Sequence, residues 1–231
     1  MKKTVRSLFA IAICALCVST AQASLVQYNF GTGGGTLAGS GIDPLATATV
    51  ISMGSGLKGA NSGIDSTKGN PVDSFNFGKN DMADSSTLAA SITASRYIQF
   101  TVTANTGYHL DLNGYTLTLQ AFGHDAKEAF AVRSSVDSYA SDLVNFGAGD
   151  TSWAPGTVNF SGSYDNLNSI TFRIYGWSTG GKQDSWVDNI NLNGTVVPEP
   201  VTYALAVAGL VFVGGGVGRF YLGRRRSATM N

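Results

Sequence analysis

The sequence predicts an all-β protein, an antiparallel sandwich, and three observations predict it. Apolar residues recur with period two in short runs: Val26, Tyr28 and Phe30; Ile98, Phe100 and Val102; Tyr115, Leu117 and Leu119; Val158 and Phe160; Ile170, Phe172 and Ile174; Trp186, Ile190 and Leu192. Turn formers separate them, with Asn113-Gly114, Pro155-Gly156 and Gly180-Gly181 as the clearest. Between residues 24 and 197 the chain is rich in Gly, Ser, Thr and Asn and poor in Lys and Glu, a mixture that suits strands and turns better than helices. The pattern gives roughly eight or nine strands in about 170 residues, one domain with a core of its own.

In chain order, residues 1–23 have the layout of a cleavable export signal. Lys2, Lys3 and Arg6 precede an apolar stretch from Leu8 to Val18, and Ala21-Gln22-Ala23 is a small-residue site for signal peptidase, so the mature chain is expected to start at Ser24. Both cysteines, Cys14 and Cys17, fall in this segment, which leaves the exported part without thiols for disulfides, nucleophilic catalysis or metal–sulfur sites. The exported domain is then 24–196. Gly31 to Gly41 and Met53 to Asn80 carry weak patterns and are expected as long loops or edge structure, with a short helix within Ala83 to Ser95.

The end of the chain is the most distinctive stretch. Val197-Pro198-Glu199-Pro200 leads into an uncharged apolar run from Val201 to Gly218, extendable to Leu222 if Arg219 snorkels, and Arg224-Arg225-Arg226 follow. At ~1.5 Å per residue the run makes a helix of roughly 27 Å, close to the thickness of a bilayer core. The arginines place the 227–231 end in the cytoplasm and everything before Pro198 outside. The two prolines keep the motif extended.

This three-part tail, over 197–226, resembles the PEP-CTERM sorting signal of Gram-negative bacteria. The resemblance implies that Val197, Pro198, Glu199, Pro200 and Arg224, Arg225 and Arg226 are read by a membrane-embedded exosortase. It further implies a precursor held briefly in the inner membrane, and a mature protein at the cell surface or in the extracellular matrix of a biofilm. These residues are a substrate and catalyse nothing.

A second resemblance covers Ile170 to Gly176 and Ser185 to Gly194, which look like the closing hairpin of jelly-roll modules found in many exported bacterial proteins, carbohydrate-binding modules among them. Asp188 shares parity with Trp186, Ile190 and Leu192 and is expected to face the core. A buried carboxylate needs a cation, an arginine or several backbone N–H groups. Backbone N–H is the expected partner; the alternative that the resemblance implies is a structural calcium, with Asp43 or Asp65 contributing.

The end signals hold seven of the fifteen basic residues; 24–197 keeps eight against fourteen acids, a net charge of −6 that disfavours nucleic acid as a partner. Gly176-Trp177-Ser178-Thr179-Gly180 matches the G-x-S-x-G elbow of hydrolases, but a strand follows it instead of a helix, and both His109 and His124 precede the serine. No spacing singles out a carboxylate pair among Asp111, Asp125 and Glu128. The aromatics carry the binding expectation: Tyr175 and Trp177 have the parity opposite to Phe172 and Ile174, and Trp153 stands beside Pro155. Flat rings of this kind can stack on sugars. The expected function is therefore a non-enzymatic structural or adhesive surface protein in exopolysaccharide, with a carbohydrate-binding module using Trp177, Tyr175 or Trp153 as the alternative and a secreted glycan-active enzyme as the third reading.

Overall fold

A computed structural model describes residues 23–199 apart from 32, 83, 84, 125, 126 and 182. The expected leader (1–22) and the expected membrane segment with its arginines (Pro200 onward) lie outside the described residues. Among the described residues no helix is long and apolar enough to cross a membrane.

The strands are β1 (Ala23–Tyr28), β2 (Ala46–Ala48), β3 (Ser52–Met53), β4 (Gly63–Asp65), β5 (Ser74–Phe77), β6 (Tyr97–Ala104), β7 (Tyr108–Asp111), β8 (Thr116–Gly123), β9 (Glu128–Ser134), β10 (Val144–Gly147), β11 (Ala154–Asn159), β12 (Ser169–Ser178) and β13 (Ser185–Pro198). Two short helices, α1 (Lys79–Met82) and α2 (Leu88–Thr93), link β5 to β6. Thr87 caps α2 by accepting from the Ala90 N–H at 3.2 Å.

All ladders are antiparallel and form two sheets. The first runs β11-β8-β13-β5-β4, with β1 and β7 continuing along β13; the second runs β10-β9-β12-β6-β2, with β3 also on β6. From β8 onward the chain crosses repeatedly between the sheets, so apart from the consecutive pairs β4–β5 and β9–β10 neighbouring strands are distant in sequence, and the sandwich is closed by long-range pairing. The expected sandwich is thus present.

Period-two burial is regular where the sequence predicted it. Leu117, Leu119 and Ala121 of β8, Ile98, Phe100 and Val102 of β6, and Ile170, Phe172 and Ile174 of β12 all point inward and are buried. Rings join the two sheets across this core: Tyr28 packs on Phe100 at 4.9 Å and Phe77 on Phe130 at 5.4 Å. Each such side chain contributes roughly 1.5–3 kcal/mol through removal from water.

Three expectations change. Pro155-Gly156 is no turn but part of β11, where Pro155 lies opposite Gln120; β11 is an edge strand, so the missing N–H breaks no ladder. β13 does not stop at residue 196: Val197 and Pro198 pair with His109 and Tyr108, and the Glu199 N–H donates to the Gly107 carbonyl at 2.9 Å. The first half of the Pro-Glu-Pro motif is therefore bound into the domain. Asp188, finally, does not share the core face with Ile190 and Leu192. The β13–β8 register slips between Asp188 and Asn191, with Asn189 at φ 51°, and this bulge reverses the parity: Val187, Ile190 and Leu192 point inward, Trp186 and Asp188 outward.

Candidate functional site

The outer face of the first sheet is built from rows of side chains set by the register. Asn76 of β5, Trp186 of β13 and Phe122 of β8 stand side by side across three strands. Trp153, immediately before β11, extends the row, its ring 5.7 Å from Phe122, and Phe122 lies 5.8 Å from Trp186. The next row holds Asp188 opposite Gln120.

The 65–73 segment folds over these rows and makes a pocket. Asp65 starts it: its Oδ1 accepts from the Thr67 N–H and hydroxyl, and its Oδ2 from Trp186 Nε1 at 2.8 Å. Burial pushes the Asp65 carboxyl up, but these bonds and the Lys68 charge outweigh it and hold the group below the usual carboxylate range. Further along, the Asn70 N–H donates to Asp188 Oδ2 at 2.7 Å, while the Asn189 N–H donates to Oδ1 at 2.6 Å. Gln120 Oε1 accepts from the side-chain amides of Asn70 and Asn189. The result is a cavity of about 320 Å³ lined by Thr67, Lys68, Pro71, Val72, Phe122 and Trp153, among others. The Lys68 ammonium lies 4.9 Å from the Phe122 ring centre and 5.6 Å from that of Trp186. A second depression of about 390 Å³, sharing Ser66 with the first, continues past Asp65 to Asn76.

Of the expected sugar-stacking residues, only Trp153 is at this site. Tyr175 and Trp177 do point outward from the second sheet, but both are buried, at 2% and 8% exposure. The segment carrying α1 and α2 crosses that face: both helices contact β12, the Ser178 N–H donates to Ser85 and the Gly176 N–H to Arg96. Outward parity was right; the inference of exposure fails because another part of the chain covers the face. Sequence reasoning missed Phe122 and Lys68. Phe122 had a signal, since it is the one ring on the parity of Thr116, Thr118 and Gln120; Lys68 had none.

Asp188 is buried, as expected, and its partners are backbone N–H groups. Burial pushes its carboxyl up to about 6; the Asn70 and Asn189 N–H bonds oppose this and the nearby Asp73 charge adds to it. Asp65 is committed to Thr67 and Trp186, and Asp43 caps its own turn by accepting from the Leu45 N–H. Neither is hydrogen-bonded to Asp188, whose partners are the Asn70 and Asn189 N–H groups, the kind of partner the sequence led one to expect. Among the described residues no group of three or more His, Cys, Asp or Glu is placed to hold a metal ion.

The pocket lining offers two rings, a lysine and hydroxyl groups, so the arrangement can stack, hydrogen-bond and attract an anion. Ser178 is buried on β12, donates to Glu128 Oε1 at 3.3 Å and precedes a turn and a strand, which removes the elbow. At the two ends of the domain, Ala23 and Ser24 begin β1 opposite Gly194 and Asn193, while Val197 and Pro198 close β13.

No family model and no curated protein sequence matches the chain. Among solved structures, it is similar to the K3 cleaved adhesin domain of Lys-gingipain from Porphyromonas gingivalis (14% identity, 75% of this chain and 99% of that one, TM-score 0.41). It is also similar to the CBM22-1 xylan-binding domain of Paenibacillus barcinonensis Xyn10C (12%, 77% and 97%, TM-score 0.40). A third is a putative sugar binding protein from Bacteroides thetaiotaomicron (10%, 64% and 86%, TM-score 0.42). Likenesses at this level bear on no ligand and on no residue's role.

Proposed function

We propose that the domain is a non-catalytic glycan-binding module of an exported, surface-associated protein, and that sugar rings bind in the pocket at Phe122 and Trp153. The observation that carries this reading is the juxtaposition, at one open cavity, of the partly exposed Phe122 and Trp153 rings with Lys68, beside a row of amides from Asn70, Gln120 and Asn189 that bond to one another. A pyranose has an apolar face and an edge of hydroxyls, so it needs a flat ring below and amide or charged groups at the side. Binding sites of this type are apolar with a few placed polar groups.

The export and processing readings rest on the sequence of the two ends. Signal peptidase would release Ser24 as the first residue; the tail would be held in the inner membrane and cut by an exosortase near Pro198 to Val201. The domain would then act in exopolysaccharide outside the cell. Because β13 runs through Pro198, a cut after that residue leaves the β7–β13 ladder whole.

Affinity electrophoresis of the full chain in gels containing neutral and acidic polysaccharides tests the binding reading. At least one polymer should retard the wild type, and Trp153→Ala should weaken that retention about tenfold with little change in melting temperature. Retention unaffected by Trp153→Ala overturns the pocket assignment. Mass spectrometry of the exported protein tests the processing reading, which fails if Arg224 to Arg226 persist in cells with an active exosortase.

A further inference from the structure

We propose that Arg173, on the opposite face of the sandwich, is the centre of a second ligand site that takes the carboxylate of an acidic sugar. The proposal depends on the preceding reading only for a glycan as the carrier of that carboxylate; the site itself stands on separate residues.

Arg173 lies on the outer face of the second sheet, between Gln99 of β6 and Arg133 of β9. Its guanidinium is clasped between two rings, with Cζ 4.3 Å from the Tyr97 ring centre and 3.8 Å from that of Tyr139. Each ring is fixed in turn. Tyr97 packs edge-on against Tyr175 at 5.2 Å. Tyr139 donates its N–H to the Ser134 carbonyl at 2.8 Å, and its own carbonyl accepts from Arg133 Nη1 at 2.9 Å. Ser138 and Tyr139 both sit in the left-handed region, at φ 59° and 63°, a conformation rare for two successive residues with side chains.

The charge is uncompensated. Two arginines face each other across β9 and β12; of the two carboxylates on the 135–142 loop, Asp142 is bound to Arg133 at 2.6 Å and Asp137 accepts from the Ala140 and Ser141 N–H groups. Among the described residues, no carboxylate pairs with Arg173. Its Nε donates to Gln99 Oε1 at 3.1 Å, which sets the plane of the group and leaves the terminal nitrogens as the remaining donors. A planar fork held between two rings, with its outer donors unspent, matches the two oxygens of a carboxylate. The ordering of a long side chain is already complete before the ligand arrives, so less entropy is lost on binding.

An acidic sugar is the partner class this fits. The carboxylate would take the fork, and the Tyr97 and Tyr139 hydroxyls stand on the same two rings that flank it. Since the domain is acidic overall, it repels an anionic polymer at long range, and such a polymer is held only where a cation such as Arg173 meets its carboxylate.

The experiment compares polygalacturonate with its methyl ester, which has the same sugars without the charge, by calorimetric titration of the full chain at low and moderate salt. The wild type should bind the acid at least tenfold more tightly than the ester, with affinity falling as salt rises. Arg173→Gln should abolish that preference, and Arg173→Lys should restore it only in part, because an ammonium lacks the fork. The ester comparison uses the wild type alone, so a missing acid preference overturns the proposal even if Arg173→Gln folds poorly, and Arg173→Lys, which keeps the charge and the long side chain, is the second variant that assigns the preference to this site. Equal binding of acid and ester overturns the proposal, as does poly-glutamate binding as tightly as polygalacturonate. If the acid preference survives Arg173→Gln but is lost in Trp153→Ala, the carboxylate binds in the pocket: this proposal falls and the pocket reading stands. If Trp153→Ala leaves every polymer bound as before while Arg173→Gln removes the acid preference, the pocket reading falls and the Arg173 site stands.

Discussion

The two outer faces of this sandwich carry similar stocks of rings and use them differently. On the first sheet, Trp186 is packed away by the 65–73 segment and Asp65, while Phe122 and Trp153 remain at the lip of a cavity. On the second, Tyr175 and Trp177 point outward just as surely but lie under the segment of α1 and α2, and Tyr97 and Tyr139 close on a guanidinium. Strand parity decides which face a side chain leaves by. Whether it then meets solvent is decided by segments far away in sequence, and only that second fact separates a ring that can bind from a ring that packs.

The sharpest way to break this comparison is to remove one tryptophan from each face. Trp177→Ala should cost about 3 kcal/mol of unfolding free energy, because it empties a buried site that the covering segment cannot refill. Trp153→Ala should cost under about 1 kcal/mol while weakening polysaccharide retention. Urea unfolding of both variants reads the difference. Comparable stability losses would mean that Trp153 is also a packing residue.

A second test addresses the latch that holds the pocket's roof. Asp188 has its carboxyl raised to about 6 by burial, from 3.8 in the open chain. The folded state therefore holds this proton more tightly than the unfolded state. Its contribution to stability is full below about pH 4 and is lost as the pH rises through about 6. Wild-type stability should increase by an amount of order 1–3 kcal/mol between pH 7 and pH 4.5. Asp65, held low, works in the other direction: its contribution is present above pH 3.8 and fades below that. Asp188→Asn should flatten the rise, and melting curves across that range would show it. A wild type whose stability is level from pH 7 to 4.5 rules the latch out as the source of pH dependence.

Much of the core was legible because β6, β8 and β12 keep strict alternation, and a buried side chain there must be apolar. The failures have local causes. Nothing in Asp188-Asn189-Ile190-Asn191 announces a bulge except asparagine's tolerance of positive φ, so the parity of Trp186 and Asp188 was read one face wrong. Pro155-Gly156 reads as a turn unless β11 is known to be an edge, where the lost N–H is harmless. At the site, Trp153 was visible as a ring beside a proline. Lys68 meets Phe122 and Trp186 only through the fold of a loop, and Arg173, Tyr97 and Tyr139 come from three separate stretches of chain, so no spacing could have joined them.

The smallest predicted effect sharpens the contrast between the two cations. Lys68 and Arg173 both lie over pairs of rings, but Lys68 is an exposed side chain on a loop, whereas Arg173 is half-buried on a strand and held by Gln99. A cation over a ring at an exposed site is worth roughly 0.5–1 kcal/mol. Lys68→Gln should accordingly lower the melting temperature by no more than a degree or two, about the effect of ~0.5 kcal/mol on a domain of this size. Removing the ammonium also uncovers the Phe122 face. Neutral polysaccharide should then bind as well as before or up to about threefold more tightly, a change of ~0.65 kcal/mol or less. Acidic polymers should lose a little through the pocket and keep their preference through Arg173. A tenfold loss of neutral-glycan binding in Lys68→Gln would show instead that the ammonium is a ligand contact as firmly placed as the guanidinium, and the distinction between an exposed and a clasped cation would not hold.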